Sequence, residues 1–311
     1  MPERRRIPRR WRIVLWIVGA IAAAVGGIVL AFVLSNPSPS ADLALDVPAK
    51  TIPESWASPD EPAAEPQVTQ ATEASSGPTI PYVTTGRLAL FGSGKPFGEE
   101  VYELRIAEDR TTLSSSGRFW YKVVLATVHV TFEQSFEGDG ELRPVSYAAQ
   151  FHAPLGFDRA IRATVEEDRL TVERAGDTEE VRIDPERTFT LGTFSTYVLL
   201  PRLFALRQNA GSASFEVLVF GGPPNQETSA DAAEGDLPLM TIARAGSASL
   251  RAGERVLEVD RYVVLSGFGE TELFARGEEF LALRAGSEDE SLWVYRSDFF
   301  SSGVEVLDAA P

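Results

Sequence analysis

Few residues in this chain are able to do chemistry, and their spacing limits what they can do. There are two histidines, His129 and His152, and no cysteine. Metal sites gather His, Cys, Asp and Glu at short regular spacings, and neither histidine has such a partner nearby. The missing thiol removes cysteine nucleophiles, disulfides and thiolate metal sites. A serine nucleophile on a sharp elbow needs G-x-S-x-G, which does not occur. Gly92-Ser93-Gly94-Lys95 resembles part of a phosphate loop. That loop needs the full G-x-x-x-x-G-K spacing and a Ser or Thr after the lysine, whereas Pro96 follows here. The segment is therefore expected to be a hairpin turn. Carboxylate pairs such as Glu99-Glu100, Glu166-Glu167 and Glu278-Glu279 are expected on solvated faces, and none is identifiable as a raised-pKa acid opposite a base. Catalysis is not expected, and neither a cofactor nor a metal is called for.

Two constellations remain. Phe119, Trp120, Tyr121, Phe132, Phe136, Phe151, Phe157, Phe189, Phe194, Tyr197 and Phe204 form an aromatic set. It is either ordinary core or the lining of an apolar pocket between a sheet and a helix. In the ligand-pocket reading the binding residues are Phe119, Tyr121, Phe132, Phe194, Tyr197, Leu200, Leu203, Phe204 and Trp293. The other constellation is Trp293 to Phe299. Alternation puts Trp293, Tyr295, Ser297 and Phe299 on one face and Arg296 with Asp298 on the other, as an ion pair or an edge feature.

The elements that position these residues follow from periodicity. From Ile80 to about Leu307 apolar and polar residues alternate with period two, as in Tyr102, Leu104 and Ile106 against Glu103 and Arg105. Turn clusters such as Gly138-Asp139-Gly140, Ala175-Gly176-Asp177 and Arg276-Gly277 separate the runs. The pattern predicts a long up-and-down antiparallel meander with one apolar face per strand. Phe194–Leu206 breaks the period and is too apolar to be half-exposed. It predicts one or two short buried helices interrupted at Pro201, which can open a helical turn but not sit inside one. The economical arrangement is mainly β: a large curved antiparallel sheet, a half-barrel, wrapped around a short helical plug. Gly221–Asp236 reads as a polar loop.

The address lies upstream. Arg4, Arg5, Arg6, Arg9, Arg10 and Arg12 precede Ile13–Leu34, which carries no charge over 22 residues. At about 1.5 Å per residue such a helix is about 33 Å long, enough to span a bilayer. The arginines are expected to stay in the cytoplasm, and the span is too long for a cleaved signal peptide. Residues 35–78 hold eight prolines and no apolar period, which reads as a disordered stalk. The expected organisation is a basic cytoplasmic tail (1–12), a transmembrane helix (13–34), the stalk (35–78) and a β-rich extracytoplasmic domain (79–311). The formal net charge is −16. Residues 1–12 carry +5, from six arginines against one glutamate, so the remainder carries −21. That acidity repels nucleic acid and disfavours docking on an anionic lipid surface.

Spread over Tyr82–Phe300 is a resemblance. Phe97-Gly98-Glu99-Glu100-Val101-Tyr102-Glu103-Leu104, followed by Thr111–Gly117, resembles the opening of bacterial envelope domains of unknown function, with a G-x-E-x-Y/F strand and then an S-x-G strand. Ser195-x-Tyr197-x-Leu199-Leu200 and Trp293-x-Tyr295-x-Ser297-Asp298 fit the same picture. These domains are similar to the half-barrels built around a helical plug that include the LolA and LolB lipoprotein carriers. The resemblance implies an open barrel with a cavity for acyl chains or similar ligands, and it brings no catalytic residues. The expectation is thus an anchored envelope domain of the cytoplasmic membrane that binds a lipid-like ligand. Its rivals are an envelope protein-interaction module whose interior is only core, and an enzyme acting on envelope polymer.

Overall fold

The structure, a computed structural model, describes residue 50 and residues 82–123, 126–154, 158–220, 237–267, 269–286, 291–301 and 303–307. The expected tail, the transmembrane helix, all of the stalk but Lys50, and the whole Gly221–Asp236 loop lie outside the described residues. Among the described residues no helix is long and apolar enough to cross a membrane.

Most strands follow the alternation, while Thr188–Leu191 and Glu279–Ala285 are buried on both faces. The first series is β1 (Tyr82–Gly92), β2 (Lys95–Ile106), β3 (Arg110–Val123), β4 (Ala126–Asp139), β5 (Pro144–His152), β6 (Arg159–Glu166), β7 (Arg169–Arg174) and β8 (Asp177–Arg182). The second is β9 (Thr188–Leu191), β10 (Ser212–Val219), β11 (Leu239–Ala252), β12 (Arg255–Ser266), β13 (Gly269–Arg276), β14 (Glu279–Ala285), β15 (Leu292–Arg296) and β16 (Glu305–Leu307). The two series join edge to edge where β1 pairs β15, from Leu88 opposite Arg296 to Gly92 opposite Leu292. One sheet results, with β8 at one end and β9 at the other, and those two ends are not paired with each other.

Ser93 and Gly94 turn β1 into β2 as a two-residue hairpin with φ of 47° and 72°. Positive φ at both central residues is the turn that matches strand twist, so this segment is the expected turn.

The sheet is mixed, which corrects the expectation of a purely antiparallel meander. β9 and β10 run parallel, with Phe189 opposite Val217. The reason is the connection between them: parallel neighbours need a crossover, usually helical. Here the crossover is the plug, a 3-10 turn at Phe194–Leu199 followed by a helix α1 at Leu200–Arg207. Pro201 sits in the first turn of α1, where its missing N–H costs no hydrogen bond. The plug packs against β2, β3, β9, β10 and β14.

Core residues come from every strand β1 to β15, among them Leu88, Leu113, Phe136, Leu170, Phe215, Ile242 and Leu283, and they enclose Leu199, Leu200 and Leu203 of the plug. The sheet therefore curls around the plug. A second, smaller core lies on its other face, where Phe274, Leu281 and Tyr295 are covered by Phe299, Phe300 and Val306. β16 completes that cover by pairing β11 at Ser249–Arg251.

Candidate functional site

The inner face of β2 is set by alternation: Gly98, Glu100, Tyr102 and Leu104 are all buried. β1 runs beside it, with Tyr82 opposite Ile106, Thr84 opposite Leu104 and Gly86 opposite Tyr102. A side chain at Gly86 would collide with the Tyr102 ring, so this glycine gives the ring its place.

At the end of the barrel where β1 begins and β2 ends, the wall and the plug do not meet. A cavity of about 270 Å³ remains, just below the usual range for ligand pockets. Tyr82, Thr84, Tyr102, Leu104 and Ile106 form one wall. Val198, Leu199 and Arg202 of the plug form another. Glu278, Glu279, Phe280 and Arg296 close it from β13–β14 and β15. Its aliphatic floor and charged rim suit a ligand with both characters.

The rim is held by a buried ion pair. Arg296 is 1% exposed and Asp298 5%. Arg296 Nε donates to Asp298 Oδ1 at 2.8 Å, Nη2 donates to Oδ2 at 2.6 Å, and Nη1 reaches Glu279 at 3.3 Å. The guanidinium lies 4.6 Å from the Phe299 ring centroid and 5.5 Å from that of Tyr102. Burial opposes its charge, but Tyr102, Asp298 and Glu279 outweigh that and hold Arg296 above the ordinary arginine value. The Arg87 backbone N–H also donates to Asp298 Oδ1, at 3.1 Å. Lys50 docks on the same carboxylate at 3.7 Å, its backbone N–H on the Asp298 carbonyl. Burial and the neighbouring Arg296 push its amine below the usual lysine range.

Deeper in the barrel lies a polar cluster that the acidic-face reading missed. Glu100 is 0% exposed. Its Oε1 accepts hydrogen bonds from Thr193 Oγ1 at 2.5 Å and Ser115 Oγ at 2.7 Å, and its Oε2 accepts from the Ser195 backbone N–H at 3.1 Å. Gln134 donates to Ser195 Oγ at 2.7 Å and accepts from Tyr147 and from the Thr193 N–H. Glu100, Ser115, Gln134 and Tyr147 belong to four successive strands and share their inward face. Together they fasten the residues that start the plug to the barrel wall. Burial pushes the Glu100 carboxyl above the ordinary glutamate value, while the surrounding hydroxyl and amide donors pull the other way. Glu100 does not line the cavity. The signal was present in the sequence, because Glu100 has the same parity as Tyr102 and Leu104.

Of the residues proposed from sequence, Phe119, Phe132, Phe194 and Tyr197 are brought together. Phe119 stacks on Phe132 at 4.8 Å and meets Phe194 edge-on at 6.2 Å, and Phe194 contacts Tyr197. Leu200, Leu203 and Phe204 are fully or nearly buried in the same core, with Phe204 edge-on to Tyr262. Trp293 lies on the opposite face, stacked 6.4 Å from Phe274. Tyr121 pairs with Val128 in the β3–β4 ladder, and its side chain lies outside the described residues. The cavity is lined by their neighbours rather than by these residues. His152 is 3.3 Å from Asp158 on the surface, and His129 neighbours Trp120. Among the described residues no three His, Asp or Glu are grouped to hold a metal.

No protein-family model matches the chain, and no curated protein matches it. Solved structures similar to it include the following two. One is a beta-barrel-like protein of the domain of unknown function DUF1849 from Brucella abortus, with a TM-score of 0.44 and 10% sequence identity, covering 74% of this chain and 98% of that one. The other is a DUF1089 family protein from Pseudomonas aeruginosa, with a TM-score of 0.36 and 9% identity, covering 72% of this chain and 98% of that one. The fold of this chain is one open mixed sheet curled around a short helical plug.

Proposed function

We propose that this chain is a membrane-anchored envelope protein whose β domain binds an apolar or lipid-like ligand in the cavity between the plug and β1–β2. The observation that carries the reading is the cavity itself: Leu104, Ile106, Val198, Leu199 and Phe280 present apolar surface that neither the wall nor the plug covers. The uncharged Ile13–Leu34 segment behind six arginines supports the anchor and an extracytoplasmic site for the domain. The sequence likeness to the LolA and LolB group supports an acyl chain as the ligand.

A second reading is favoured by one observation. The aromatic set packs as filled core, with Phe119, Phe132 and Phe194 in mutual contact, and a filled interior suits an interaction module. The two are separated by photo-crosslinking the full-length chain in phospholipid nanodiscs with a diazirine-bearing acyl probe. Ligand binding predicts label on Tyr102–Ile106 and Val198–Arg202. Label confined to residues 13–34 would leave the interaction module.

A further inference from the structure

The geometry points to an amphiphile with an anionic head group as the cavity's ligand, its head taken by Arg202 and its chain by the aliphatic floor. This rests on the cavity reading and specifies its ligand.

The two arginines of the cavity differ in what they have left to give. Arg296 is occupied on every side, by both oxygens of Asp298, by Glu279 and by the Thr85 carbonyl. Arg202 is not. Among the described residues its one hydrogen bond is Nη1 to Glu278 Oε2 at 2.7 Å, and its buried Nε has no partner. Among the described residues orphaned Nε atoms also occur at Arg87 and Arg261, but Arg202 alone of these lines the cavity. A buried N–H left unmade is costly. That Nε is closed off from the cavity, so a ligand head would reach Arg202 through an Nη N–H that Glu278 does not take, in a charge-assisted hydrogen bond.

The carboxylates of the rim must be weighed against this. Glu279 faces Arg296 and is neutralised by it. Glu278 is half exposed, at 52% of its side chain, and an ion pair with a solvated partner contributes little. It can turn outward into water when a ligand head arrives. Asp298 is fully engaged with Arg296 and Lys50. The charge left open toward the cavity is therefore the positive one on Arg202. Leu104, Ile106, Val198, Leu199 and Phe280 then supply the apolar surface for the chain.

The test uses matched diazirine probes of one chain length, ending in a carboxylate, a hydroxyl or a quaternary ammonium, on the full-length chain in nanodiscs of zwitterionic phospholipid. Label at Tyr102–Ile106 and Val198–Arg202 is compared between wild type and Arg202→Gln, so that each probe's partition into lipid cancels. The expected result is a loss of carboxylate labelling of about tenfold, as for a lost charge-assisted hydrogen bond, with the hydroxyl probe unchanged. Glu278→Gln should raise carboxylate labelling. Equal labelling by carboxylate and hydroxyl probes, insensitive to Arg202, would overturn the head-group assignment while leaving the cavity reading intact. Preference for the ammonium probe would also overturn it. No cavity labelling by any probe would overturn both.

Discussion

Replacing Glu100 by glutamine tests whether the barrel's interior is held as described. The glutamine carbonyl can stand where Oε1 stands and keep the hydrogen bonds from Thr193 and Ser115. Its amide nitrogen then faces the Ser195 N–H that Oε2 now accepts, donor against donor. One orphaned buried N–H costs about 1–3 kcal/mol. For a domain of 150–250 residues each kcal/mol moves Tm by about 2–4 °C, so Glu100→Gln should lower Tm by roughly 2–12 °C. Glu100→Ala strands all three donors and leaves a void, and should cost roughly twice as much.

The pH dependence carries the sharper test. Burial holds the folded-state pKa of Glu100 above its ordinary value. The folded protein therefore binds this proton more tightly than the unfolded chain. The carboxyl's stabilising contribution is full below about pH 4.5, the ordinary value, and is lost as pH rises toward the folded pKa. Protonated Glu100 keeps one acceptor oxygen, and its hydroxyl turns a neighbouring Ser or Thr from donor to acceptor. Glutamine does not titrate, so the Tm advantage of wild type over Glu100→Gln should be widest near pH 4 and shrink toward pH 7. Thermal unfolding of the full-length chain, followed by tryptophan fluorescence across that range, reads it directly. An advantage that grows with pH would show an ionised carboxylate stabilised by its donors, and would refute the reasoning.

Three further outcomes follow from the same geometry. Asp298→Ala leaves Arg296 buried without its main partner and should destabilise the domain by about 3–5 kcal/mol, measured by denaturant unfolding. Gly192→Ala places a methyl group against Tyr147 and Gln134, and should lower Tm by several degrees while a Gly94→Ala control, open to solvent, changes it through φ strain alone. A reporter active only in the cytoplasm and fused after Pro311 should be silent if Ile13–Leu34 spans the membrane with its arginines inside. Cytoplasmic activity there would overturn the topology.

Much of this architecture is legible in the sequence, and the reason is period two. Alternation at Tyr102–Ile106 and its counterparts marks the strands, Ser93-Gly94 marks a turn that needs positive φ, and Pro201 marks where the 3-10 turn hands over to α1. The Arg296–Asp298 ion pair is also anticipated by alternation, although Asp298 stands in the turn after β15 rather than on the strand. Pairings between distant segments are not legible. Alternation says that a strand has an inner face, not which strand lies beside it. The β1–β15 junction and the parallel β9–β10 pair are therefore visible only in three dimensions. Glu100 shows the same limit from another side. Its parity put it inside, but a buried carboxyl is tolerable only with partners, and those come from β3, β4 and the plug. The cavity escapes sequence reading because it is made by absence of contact between the ends of β1 and β2 and the plug. The aromatic residues that attract attention fill the core beside it.

The most direct test of ligand binding is to fill the cavity and leave everything else in place. Ile106 lines the cavity wall and is only partly buried, so Ile106→Trp puts an indole into the opening without displacing packed core. Acyl-probe crosslinking to Val198–Arg202 in the full-length chain is the measurement, with Tm recorded on the same preparation. If the cavity is the binding site, labelling falls about tenfold or more while Tm stays within a few degrees. Undiminished labelling in a folded Ile106→Trp protein would contradict the account.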